Sequence, residues 1–180
     1  FYGEKEEVLG RKLYRFQNVR REFLSMKNFI QQIYTNLNLE NEGNIFNKID
    51  NIISNHLNLK TYYIPFSSEI NNLDGNWRIF LNENHSKLRI WEDFGVLLGI
   101  YFQSFEKLDK IKLETPVEVI KEISPFAYNF CIPDFMLKKL TFSADEQQTI
   151  KLIARTFTVG ERFAANRLSL YRCDLKQSTM

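Results

Sequence analysis

Two adjacent acids, Glu92 and Asp93, stand inside the most apolar stretch of the chain, Arg89-Ile-Trp-Glu-Asp-Phe-Gly-Val-Leu-Leu-Gly-Ile-Tyr-Phe102. A carboxylate taken out of water is costly unless it is paired, bound to a metal or turned into a cleft. Neighbouring side chains on a helix point about 100° apart, so these two acids face a single ion poorly. The plain structural alternative is pairing with Arg89 or Lys87 on the exposed side of a mostly buried helix. Imidazole is scarce: His56 and His85 are the only histidines, and they do not stand one helical turn apart. There is no G-x-S-x-G elbow and no Cys-His pair with supporting spacing, and 7 glycines leave little for a phosphate-cradling loop.

The elements that must position the acids follow from periodicity. Leu88, Trp91 or Ile90, Phe94, Leu97 or Leu98, Tyr101 and Phe105 recur at spacings of three and four, which predicts a helix over 86–106 with a buried stripe. Upstream, the faces Leu9 to Leu37 and Ile45 to Leu57 predict N-terminal helices within 4–57. Leu59-Lys-Thr-Tyr-Tyr-Ile-Pro-Phe66 predicts a strand ending near Pro65, Asp74-Gly75 a turn, and Trp77 to Asn82 a second strand, together a small sheet in 59–82. Downstream, Thr115-Pro-Val-Glu118 predicts a helix start, and C-terminal helices are expected within 115–171. Pro125 either kinks the first of them or opens a new helix. Ser143-Ala-Asp-Glu146 and Thr158-Val-Gly-Glu161 are read as capping boxes of two more helices. A helix pair across a tight turn is also the outline of a helix-turn-helix, although the pair is expected to belong to the domain itself.

Glu92-Asp-Phe-Gly-Val-Leu-Leu-Gly99 resembles the zincin helix of the ImmA/IrrE metallopeptidase family, whose usual text is H-E-L-G-H followed by an aromatic residue and two leucines. Gly95 and Leu98 match, and Phe94 stands for an apolar residue. Glu92 falls where the first zinc-binding histidine belongs, Asp93 at the general-base glutamate and Val96 at the second histidine. Phe126-Ala127 with Ile132-Pro133 resembles the family's "F-A … (L/M)-P" segment, and this places Glu122 at the third-ligand position. Thr158-Val-Gly-Glu-Arg-Phe-Ala-Ala-Asn-Arg-Leu168 resembles the late "V-S-E … A … R-L" segment. The resemblance implies an α+β, mostly helical zincin-like domain over 1–180, with a small β-sheet preceding the motif helix. Zincin chemistry needs two histidines one turn apart, a third ligand and a glutamate to activate water. Val96 has no lone pair and both imidazoles are gone, so the frame is implied without its peptidase chemistry. A second register, Trp91-Glu-Asp-Phe-Gly95, keeps Glu92 at the glutamate's place, loses the glycine match and still lacks histidines. Were Glu92, Asp93 and Glu122 to converge, three carboxylates would prefer manganese, magnesium or calcium over zinc.

Composition narrows the function classes. A formal charge of +2, from 24 basic and 22 acidic residues, makes no electrostatic case for a nucleic-acid or membrane binder. The 16 phenylalanines suggest an aromatic core. Cys131 and Cys173 lie in no metal or redox spacing, which suits a reducing cytoplasm. The chain begins at Phe1 rather than Met, so sequence upstream is expected to have been removed, and the resemblance implies that a helix-turn-helix domain often stands there. The leading expectation is a degenerate ImmA/IrrE-like domain without peptidase activity, needing no cofactor. It would bind a protein, with a helix-turn-helix repressor of a phage or mobile element as the implied partner. The candidate contacts are Trp77, Ile79 and Phe94 in the cleft between strand and motif helix. Arg11 and Arg15, in a basic cluster with Lys12, Arg20 and Arg21, are the others. Two alternatives stand beside it: a metal-dependent hydrolase with a carboxylate-rich site, and a DNA-binding regulatory module using the basic face of the first helix.

Overall fold

The computed structural model of the chain describes residues 26–39, 57, 59–73, 76–106, 114–116 and 125–178. In chain order these form helix α1 (26–36), strands β1 (Lys60–Ile64), β2 (Glu69–Leu73) and β3 (Asn76–Asn82), helix α2 (Lys87–Glu106) and strand β4 (Glu114–Pro116). Helices α3 (Pro125–Cys131), α4 (Asp134–Leu137), α5 (Glu146–Phe157) and α6 (Glu161–Ser178) follow. The result is a mostly helical α+β domain with a small sheet, three of whose strands precede its longest helix. The helices expected at 4–25 and 40–56, and the Asp74-Gly75 turn, lie outside the described residues.

The sheet has the order β1-β3-β2-β4. β3 is its centre, parallel to β1 and antiparallel to β2, with Leu73 opposite Asn76 across the hairpin. Alternation along β3 turns Ile79 and Leu81 into the core, and Ile70 of β2 joins them. On the other face Phe80 stacks on Tyr62 of β1, with ring centroids 5.3 Å apart. β4 corrects an expectation: Glu114-Thr115-Pro116 is an edge strand paired with β2 rather than a helix start. Pro116 sits at the end of that edge strand, where a missing N–H costs no ladder bond. Pro125, by contrast, does open a new helix, as the first residue of α3.

α2 lies on the sheet and buries Ile90, Trp91, Phe94, Val96, Leu97, Leu98 and Tyr101. Leu88 departs from the expected stripe: it is exposed in the first turn of the helix, where little packs against it. Behind α2 lies α3, buried at every position after Pro125. The two approach closely because Gly95 carries no side chain; a Cβ there would stand 2.5 Å from Cys131 Sγ. Aromatic rings fill the joint, with Phe130 within 6.0 Å of Trp91, Phe94 and Phe126 by centroid. α1 closes the far side, its Tyr34 hydroxyl donating to Phe130 O at 2.7 Å. Burial pushes the Tyr34 phenol well above its ordinary pKa.

The C-terminal caps also differ from expectation. α5 is capped by Asp145, whose carboxylate accepts from Gln147 N–H, and not by Ser143. Ser143 Oγ is occupied one step earlier, accepting from Asp145 N–H. Thr158 ends α5 in the left-handed region (φ 56°) rather than starting α6. The link from α5 to α6 is therefore only 158–160.

Candidate functional site: the motif helix

The two acids of α2 are both engaged, and in opposite senses. Asp93 is 1% exposed, which corrects the expected pairing on the helix's outer side. Its Oδ2 accepts from Ser68 Oγ at 2.8 Å and lies 3.0 Å from His85 Nδ1. Arg89 Nε, one turn earlier on α2, forms an ion pair with Oδ1 at 2.8 Å. The partners are themselves tied to the end of β3. Asn82 N–H donates to Ser68 Oγ at 2.9 Å, and Asn82 Nδ2 lies 3.4 Å from His85 Nε2. With Asn82 Oδ1 accepting from Asn84 N–H, the amide presents its NH2 to the ring. A proton on His85 Nδ1 would face Asp93 and leave Nε2 toward the Asn82 amide. The carboxylate thus joins the loop before β2, the turn after β3 and the first turns of α2.

Glu92 turns toward α6. Its Oε1 accepts from Gly160 N–H at 2.6 Å. Gly160 is the residue whose carbonyl takes the first helical bond of α6, from Ala164 N–H at 3.0 Å. In an ordinary capping box a glutamate three residues into the helix returns to satisfy that N–H. Here a glutamate from another helix takes the role. Desolvation raises the Glu92 carboxyl above its usual pKa, with Asp93 adding to the rise, while the Gly160 bond, Arg89 and Arg162 oppose it.

Val96 is buried. Glu122 lies outside the described residues. Among the described residues no three His, Cys, Asp or Glu side chains gather where they could hold an ion. A zincin's zinc therefore does not fit these positions: Val96 supplies no donor, Glu92 is bonded to an amide, and the Asp93 oxygens are taken by three donors. Of the expected partner contacts, Ile79 and Phe94 are fully buried and act as core. Strand β3 and the motif helix pack against one another through these side chains. Trp77 is half-buried, edge-on to Tyr101 at 5.4 Å. Arg11 and Arg15 lie outside the described residues. Ser68, His85 and Gly160 were missed from sequence. The spacing of His85, Arg89 and Asp93 by fours was the one legible hint; nothing local marks Ser68, 25 residues before its acid.

A small sheet ahead of a long helix, backed by a second helix and holding two acids where metal ligation would be sited, defines an α+β domain of zincin type. The profile of the IrrE N-terminal-like domain matches residues 54–169. The chain belongs to that family. It is similar to the phage-like element PBSX protein XkdA of Bacillus subtilis (strain 168), 28% identical over 120 residues. That match covers 66% of this chain and 60% of XkdA, so the chain spans about three fifths of that relative's length. It is also similar to YqaB of the same strain, 29% identical over 156 residues, covering 80% of this chain and 90% of YqaB. No solved structure matches. No helix among the described residues is long and apolar enough to cross a membrane.

Proposed function

We propose that this chain is an ImmA/IrrE-like domain that works by binding a protein regulator and does not cleave peptides. The observation that carries the reading is the state of the motif helix. Both acids that stand at metal and base positions are spent on fold-internal partners: Glu92 on Gly160 N–H, Asp93 on Ser68, His85 and Arg89. A general base must be free to take a proton from water held by a metal. Asp93 would have to shed three donors to do so. The name of XkdA places that relative in a phage-like element and supports a regulator of a phage or mobile element as the partner class, a helix-turn-helix repressor foremost. A cytoplasmic setting follows from that partner.

Metal analysis of the purified chain, with a cleavage assay on a candidate repressor, tests the proposal. Sub-stoichiometric zinc and an intact repressor that co-purifies with the chain are expected. One equivalent of zinc, together with cleavage that disappears in Asp93→Asn, would overturn it.

A further inference from the structure

We draw no further inference here: the strongest candidate, the outer face of the sheet, where Tyr62 stacks on Phe80 beside the exposed Leu73, carries nothing because nothing in the structure shows what covers it.

Discussion

Asp93 carries the heaviest duty of any one residue at the motif helix, because a 1% exposed carboxylate sits on three donors from three segments. Removing one partner of a buried charged network costs roughly 3–5 kcal/mol, chiefly by stranding the others. Asp93→Ala is expected in that range by urea denaturation, and Asp93→Asn well below it, since an amide oxygen still accepts from one donor. Two other acids predict opposite pH behaviour. Asp134 has a folded pKa below its ordinary one, despite its burial, through Arg167 and Lys27. The stability it adds is present above the unfolded value, about 3.9, and is lost as pH falls through the folded value. Glu92, raised by desolvation, adds stability that is full below its unfolded value, about 4.3, and fades as pH rises through the folded one. Denaturation midpoints between about pH 3 and 8 should therefore show the deficit of Asp134→Asn shrinking toward acid. Over the same range Glu92→Gln, which keeps an acceptor for Gly160, should gain on the parent chain toward neutrality.

The joint between α2 and α3 makes a cleaner test of packing, because one missing side chain sets it. Gly95→Ala would drive a methyl to 2.5 Å from Cys131 Sγ. Overpacking of this kind costs about 1–3 kcal/mol. Cys131→Ala should recover most of that loss in Gly95→Ala, and a double-mutant cycle would read the coupling directly. The link from α5 to α6 makes another test. Its outline is a helix-turn-helix, but Asp145, Glu146 and Glu161 stand exposed at the starts of the two helices, where phosphates would approach. Binding to duplex DNA should accordingly show a slope near zero against log salt. These elements were unequally legible. α2 announced itself through a long apolar period, whereas Pro125 left two readings open, a kink or a helix start, of which α3 takes the second. β2, Glu-Ile-Asn-Asn-Leu, has too few apolar residues to alternate visibly and is a strand because β3 pairs with it. β4 was hidden because Thr-Pro-Val-Glu satisfies helix-start chemistry locally, while its hydrogen bonds go to β2, more than forty residues back. The motif acids were legible as an anomaly. Their partners were not, since Ser68 and Gly160 reach them only through tertiary packing.

At the scale of the molecule, two separate ties run outward from one helix. In a zincin the motif helix and a later element meet on a metal. Here Glu92 fastens α2 to the start of α6, and Asp93 fastens it to the end of β3. On the proposed reading a chain held this way gains nothing from an added cation, and mass action makes that proposal measurable. An ion present at one hundred times its Kd adds about 2.7 kcal/mol. For a domain of 180 residues, each kcal/mol moves the melting temperature by about 2–4 °C, so a real site would shift it by roughly 5–11 °C. Zinc, manganese, magnesium and calcium, each compared with a chelator-treated sample, are expected to leave the transition in place. A shift in manganese or zinc that vanishes in Asp93→Asn would mean that the carboxylate can leave Ser68, His85 and Arg89 for an ion, and would return the domain to the hydrolases.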